Sequence, residues 1–480
     1  MDKSRVSVLW FRQDLRIADN PALIEACKDG SIVPIYILDD KSAGDWKYGA
    51  ASRWFLFEAL TDLNKLLNNQ LLFFEGDASK VLIDIVKEVG AEGVYWNRCY
   101  EPWAIERDSR IKKSLKVLNI SVQSFNSSLL WEPWAVLKKD GTPYKVFTPF
   151  YRKGCLVSSA PRMPLEIPSN INCVAVGGSK SLSELRLRPK NNWYKKFENI
   201  WDVSSDGVAA KLRGFLDEGL DVYREGRNFP SKKYVSALSP YLRFGMISPN
   251  MVWYAAISEK TLKSEDRNLD TFLSELGWRE FSYYLLYHFP QLPSQNLQSK
   301  FDAFPWHKDP DDVLEIWEKG LTGYPLVDAG MRELYQTGYM HNRLRMVVGS
   351  FLVKNLLIDW REGEKWFWDC LVDADLASNS AGWQWIAGCG ADAAPYFRIF
   401  NPITQSEKFD SEGEYIRKYV PELSKLPSKY IHAPWQAPEE ILKHNNVELG
   451  VTYPLPIVDI KESRQAALEA FSRTKLQVQA

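Results

Sequence analysis

The feature that most constrains this chain is a change of hydrophobic period part-way along it. Residues 6–126 carry short apolar runs at Val6–Trp10, Ile32–Leu38, Leu71–Glu75, Gly93–Asn97 and Ser121–Phe125. Helical patterns separate them: Asn20-Pro21 opens one, and Ser52–Leu67, Ser79–Val89 and Glu101–Leu118 supply three more. Strands alternating with helices predict a parallel, doubly wound sheet of five strands. After about Asp206 the strand pattern disappears. Leu269, Phe272, Leu273 and Leu276 then form one helical stripe, and Leu344, Val347, Val348, Phe351 and Leu352 form another. The text between is irregular, with Trp131-Glu-Pro-Trp134 and Ala160-Pro-Arg-Met-Pro164. The expected organisation is an α/β domain over 1–130, a linker over 131–205 and an all-α domain over 206–480.

Composition narrows the function classes. Sixty Lys and Arg stand against 61 Asp and Glu, so any anion-binding surface must come from local clustering. Six cysteines form no C-x-x-C pair and only five histidines are present, which argues against zinc, iron–sulfur and disulfide frameworks. No 18-residue apolar run and no signal-peptide pattern appear, so the expected setting is cytoplasmic, with no membrane partner. No G-x-G-x-x-G follows the first strand. The near match Gly388-Cys-Gly390-Ala-Asp-Ala393 follows a Trp-rich helical pattern and is read as coincidence. Nineteen tryptophans form an unusual load that needs a reason.

One stretch, Gly338 to Phe409, concentrates the candidate chemistry. On a helix Asn342, Arg345, Met346 and Gly349 share one face: an amide, a cation, a thioether and a gap for a flat ligand. Asp375, Asn379 and Trp383 are spaced by four and form a second polar stripe. Taken singly, such residues are more often solvated or structurally paired. Together they suit a heteroaromatic ring with alternating donors and acceptors. On another helical pattern Glu275, Trp278 and Arg279 fall at i, i+3 and i+4.

His341-Asn-Arg-Leu-Arg-Met346, Ile358-Asp-Trp-Arg-Glu-Gly-Glu364, Asp373-x-Asp375-x-x-x-Asn379 and Gly382-Trp-Gln-Trp385 occur in one order along the chain, followed by Ala393-Ala-Pro-Tyr-Phe-Arg398. In these motifs, and over nearly its whole length, the chain resembles the photolyase/cryptochrome family, most of all class I cyclobutane pyrimidine dimer photolyases.

The resemblance implies a folded FAD in the helical domain. Asp373 and Asp375 would hydrogen-bond the sugar and the isoalloxazine edge, Arg345 would pair with an aspartate beside the ring, and Asn342 would join them. Asn379 would face flavin N5, where a neutral amide does not readily protonate the reduced anion. Arg279, Tyr223 and the loop Val235, Ser236, Ala237, Leu238 and Ser239 would hold the diphosphate region. Val235 replaces the family's usual threonine there. Glu275, Trp278, Met346 and Trp385 would bind the lesion, with methionine in place of a histidine favouring cyclobutane dimers over (6-4) photoproducts. Arg227, Arg343, Arg398 and Lys408 would contact DNA phosphates. Trp383, Trp360 and Trp306 would relay electrons from the surface to the flavin.

The implied activity is light-driven dimer repair in UV-damaged DNA by a monomer, with Glu275, Asn379 and Met346 at its centre. A second antenna chromophore is implied in the N-terminal domain. Methenyltetrahydrofolate is preferred and a deazaflavin is the alternative, because Trp103 and Ala104 stand where some folate-binding members carry Asn-Glu. Two rival readings are a cryptochrome-type photoreceptor without repair and a passive binder of damaged DNA.

Overall fold

The computed structural model describes residues 5–28, 30–259, 266–392 and 398–477. They group into two compact units: residues 1–221, 236–290 and 372–377 form one, and 222–235, 291–371 and 378–480 form the other.

The first unit is built on a parallel sheet of strands β1 (Arg5–Phe11), β2 (Gly30–Leu38), β3 (Leu72–Glu75), β4 (Gly93–Asn97) and β5 (Ser121–Phe125), in the order β3-β2-β1-β4-β5. Each expected strand lies within a residue or two of its place. Val8 sits opposite Val33 on one side and Val94 on the other, so β1 is the centre of the sheet. Its last five residues are buried, as a strand covered on both faces requires. Helices Pro21–Lys28, Ala50–Leu66, Ala78–Val89 and Pro102–Val117 make the crossovers. Asp77 caps the third by accepting from the N–H groups of Ser79 and Lys80, and Gly90 ends it at φ 62°.

The chain order reverses between β1 and β4, which marks the crevice beyond their carboxyl ends as the usual ligand position of such sheets. The loop after β1 also touches a helical part of the same unit. A Cβ at Gly245 would fall 2.1 Å from the Gln13 carbonyl oxygen, so only glycine allows that approach. Arg16 donates to the Gly245 carbonyl at 2.8 Å beside it. The helix Arg267–His288 belongs to this unit, and Asp266 caps it on the N–H groups of Asn268 and Leu269.

The second unit contains the helices Pro325–Thr337, Asn342–Ser350, Trp360–Cys370, Pro402–Phe409 and Ile460–Gln477, and most of Leu376–Ala387. The stripe Leu344, Val347, Val348, Phe351 and Leu352 is buried as its spacing predicted. Gly338, at φ 67°, ends the first of these helices. His341 then starts the next by accepting from the Arg343 N–H. Asp359 does the same for Trp360–Cys370 at the Arg361 N–H. These short capped reversals set which faces the functional side chains occupy. Among the described residues no helix is long and apolar enough to cross a membrane.

Candidate flavin and lesion site

Within the first unit, three residues gather around the turn Asp373–Asp375. Ser239 Oγ donates to Asp373 Oδ2 at 2.6 Å, Arg243 Nε donates to the Ala374 carbonyl at 2.7 Å, and the Tyr283 hydroxyl donates to Asp375 Oδ2. Asp373 and Asp375 are buried, and the turn is held from three sides. Asp375 stands just before the helix Leu376–Ala387, so the i, i+4 stripe expected from Asp375 to Trp383 begins one residue outside the helix. Two acidic side chains in a short turn compete with helical geometry for the backbone, which explains the shift. Arg243, buried between Glu101 at 3.6 Å and Asp375 at 4.0 Å, was not singled out from sequence.

The loop before it carries a local strain. Ala237 has φ 49°, a left-handed conformation that a side chain with a Cβ adopts at a cost. Ser236 Oγ accepts from the Leu238 N–H, and Leu238 is buried below the turn.

Glu275, Trp278 and Arg279 are half-buried on one face of Arg267–His288, as their spacing predicted. Trp278 lies flat on Phe147, with ring centroids 3.9 Å apart and planes at 12°. Arg279 donates to the Ser128 carbonyl at 2.7 Å, pairs with Glu280 at 3.2 Å, and lies 4.8 Å over the Tyr283 ring. Glu280 also accepts from the N–H groups of Leu130 and Trp131. Burial pushes its carboxyl up to about 7, against the pull of Arg279 and those donors. Glu280 was missed because the backbone N–H groups it accepts from lie about 150 residues away in sequence.

In the second unit, Asn379 Nδ2 donates to the Glu364 carbonyl at 3.0 Å. That bond uses one of the two N–H groups and fixes the direction of the amide. Ser380 Oγ donates to the Glu364 carboxylate, whose pKa burial raises to about 8. Glu364 is therefore neutral at pH 7. It stood in the quoted Trp-Arg-Glu-Gly-Glu motif, but nothing local marked it as the support of Asn379.

Met346 and Arg345 are half-buried on Asn342–Ser350, whereas Asn342, the first helical residue, is exposed. Gly349 does not leave a gap for a flat ligand. A Cβ there would meet Ile386 at 2.9 Å and the Trp383 ring at 3.4 Å, so the space is used for helix packing. Arg345 Nε donates to the Met340 carbonyl at 2.8 Å, and its guanidinium lies 5.3 Å over Tyr339.

The basic residues form a cluster in this unit. Arg343 donates to Asn228 Oδ1, lies 4.3 Å over the Phe409 ring, and brings Nη1 to 4.0 Å from Met346 Sδ. Lys408 lies 5.2 Å over the same ring, and Arg227 lies 5.7 Å over Tyr223. Burial and the charges of Arg343, Arg345 and Arg227 lower His341 to about 4, so it adds no proton at neutral pH. Burial, and after it the charge of Arg227, lowers the pKa of Arg343. Arg398 is exposed, and its carbonyl accepts from the buried Lys354 ammonium. The motif residues 393–397 lie outside the described residues.

Trp383 is buried in the same unit, 4.9 Å from Phe367 and 6.3 Å from Trp317. A Cβ at Gly363 would fall 2.2 Å from its ring, so glycine is required three residues after Trp360. Trp360 is fully buried and donates to Asn296 at 3.0 Å. Trp306 is half-buried, with Phe304 4.3 Å away, and the next residue, His307, donates its N–H to the Leu357 carbonyl. Trp385 is half-buried.

Residues 7–168 match the family model described as DNA photolyase, and residues 272–473 match the FAD binding domain of DNA photolyase. A deoxyribodipyrimidine photo-lyase of Agrobacterium fabrum is 48% identical over 98% of this chain and 99% of its own. The chain belongs to the DNA photolyase family. Cryptochrome-2 of Arabidopsis thaliana is 39% identical over 99% of this chain and 80% of its own length. The crystal structure of a bacterial class III photolyase from Agrobacterium tumefaciens superposes with a TM-score of 0.94, at 47% identity, over 99% of this chain and 98% of that one. The class I assignment expected from the motifs therefore finds no support, since this structural relative is of class III.

Proposed function

We propose that this chain repairs cyclobutane pyrimidine dimers in DNA with blue light, as a deoxyribodipyrimidine photolyase, and that it falls in class III. The observation that carries this reading is the full-length match to a photo-lyase at 48%, against 39% for a plant cryptochrome. Bound, reduced and photoexcited, FAD supplies the electron that splits the dimer. Two features fit that cofactor: the strained turn at Ala237, as backbone strain tends to gather at ligand loops, and the oriented amide of Asn379.

In this reading Asn379 accepts a hydrogen bond from the ring, and the neutral Glu364 beneath adds no negative charge. Asp373, Asp375, Ser236, Ala237, Leu238, Ser239, Arg279, Tyr223, Val235, Asn342 and Arg345 are the residues this reading assigns to the cofactor. Glu275 hydrogen-bonds the lesion, Trp278 and Trp385 stack on it, and Met346 packs against it. Arg227, Arg343, Arg398 and Lys408 set register on the phosphates. Trp306, Trp360 and Trp383 would relay to the bound flavin an electron supplied by an external one-electron reductant. The functional division is the one drawn from sequence: antenna domain 1–130, linker 131–205 and repair domain 206–480. The working form is an intracellular monomer.

We further infer an antenna chromophore, methenyltetrahydrofolate before a deazaflavin, at the carboxyl ends of β1 and β4. The Trp10, Trp96 and Trp103 indole nitrogens and Arg12 Nε are buried there without hydrogen-bond partners. Arg12 and Arg107 lie 4.5 and 4.7 Å over Trp10. Asp108 already pairs with both cations, so what these groups offer is a flat ligand with hydrogen-bond acceptors for the indole N–H groups.

The test is repair of a thymine-dimer oligonucleotide by the purified, reduced protein in blue light and in darkness. Adjacent thymines should return only in the light. Tight binding without repair would move the chain to the photoreceptor reading, whose relative here is the more distant cryptochrome at 39%.

A further inference from the structure

We propose that Phe147 and Tyr151 are positioning residues for the lesion-stacking indole of Trp278, forming a buried aromatic column of which Trp278 is the open end. This deepens the reading above and rests on its assignment of Trp278 to the lesion.

Three rings lie nearly parallel. Tyr151 and Phe147 have centroids 5.5 Å apart and planes at 9°, and Phe147 and Trp278 are 3.9 Å apart at 12°. Tyr151 is 1% exposed and Phe147 8%, whereas Trp278 is half-buried. Phe147 and Tyr151 are four residues apart in one helical stretch, which places both rings on one side. The column rests on the same helix that carries Trp278. A Cβ at Gly277 would fall 2.6 Å from Tyr151 Cδ2, so the helix backbone itself packs against that ring. Phe281 closes the edge, 6.0 Å from Phe147 at 64° and 5.9 Å from Trp278 at 72°.

An indole on a helix surface ordinarily samples several rotamers. Here Phe147 occupies one face and Phe281 one edge, so a single flat face is left, in a fixed orientation. Side-chain ordering is then complete before the ligand arrives. The ligand this selects is a flat or slightly puckered, uncharged pyrimidine ring, and the selectivity comes from preorganisation rather than from a new contact. Gly277 belongs to the device, because any side chain there would push Tyr151 and with it the stack.

The test measures binding in darkness, by the flavin-loaded protein, of a duplex with one thymine dimer and of the same duplex undamaged. Phe147→Leu keeps apolar volume but loses the flat face. It should lower the preference for damaged DNA by about three- to tenfold, the worth of one aromatic pair. FAD content and undamaged binding should not change, and Phe147→Tyr should restore the preference. Should Phe147→Leu lose flavin, Tyr151→Leu against Tyr151→Phe probes the column one ring further back, with the same contrast expected. Wild-type preference in the leucine variants, while Trp278→Ala loses it, overturns the column but leaves the lesion reading standing. Wild-type preference in Trp278→Ala removes the lesion reading and the column with it.

Discussion

The two regions proposed to meet DNA are built in opposite ways. The face of Arg267–His288 in the first unit offers aromatic surface, with Trp278 backed by Phe147 and its neighbour Arg279 paired with Glu280. The start of Asn342–Ser350 in the second unit offers cations, with Arg343, Arg227 and Lys408 laid over Phe409 and Tyr223. Stacking surface distinguishes a base that has left the helix from one that has not. Cations over a phosphate chain distinguish nothing along it, but they set affinity and register. A repair enzyme for scattered lesions needs both. Their separation along the chain means that each can be removed without the other.

The largest effect should come from the cationic region. Arg227→Ala with Arg343→Ala should weaken binding of damaged and undamaged duplex alike, by roughly a hundredfold near 0.1 M salt. The slope of log K against log salt should flatten by about two, one for each phosphate that is no longer neutralised. Filter binding over a salt series reads both, and a change confined to damaged DNA would break the contrast between the regions.

The next effect compares the two buried acids. Glu280 accepts from Arg279 and from two backbone N–H groups, whereas Glu364 accepts from the Ser380 hydroxyl. Measured at pH 8, where Glu280 is ionised, Glu280→Gln leaves the largely buried Arg279 without its counter-charge and should cost about 3 kcal/mol in denaturant unfolding. Glu364→Gln replaces an already neutral group and should cost less than about 1 kcal/mol near pH 7.

A smaller effect lies in pH dependence. The folded state holds the Glu364 proton to about pH 8, while the unfolded chain releases it near 4.5. Between those values the folded state binds more protons, so this group's contribution to stability is full at low pH and is lost as pH rises. Melting temperature should fall by a few degrees from pH 5 to 8 in the wild type, and by less in Glu364→Gln.

Much of this was legible in the sequence because it is carried by local periodicity. The five strands, the helices between them, the stripe Leu344–Leu352 and the shared face of Glu275, Trp278 and Arg279 all depend on spacing of two or about four residues. What escaped depends on neighbours distant in sequence. Gly349 looked like room for a ligand, but Ile386 and Trp383 fill that room. Asn342 shares a helical face with Arg345 and Met346 on paper, yet as the first helical residue it is exposed. Phe147 lies in the stretch that read as linker, 131 positions before its partner Trp278, and nothing around it in sequence announces a stack. Glu364 was visible as part of a motif, but its neutral state comes from burial, which no motif spells out.

The division between stacking for recognition and charge for grip is tested most directly by one variant over a salt series. Trp278→Ala should bring affinity for a thymine-dimer duplex ten- to a hundredfold closer to that for undamaged duplex, the worth of one base–aromatic stack. Its affinity for undamaged DNA and its salt slope should stay at wild-type values. If instead both affinities fall together, or the slope flattens, Trp278 serves the general grip and the two regions do not divide the work.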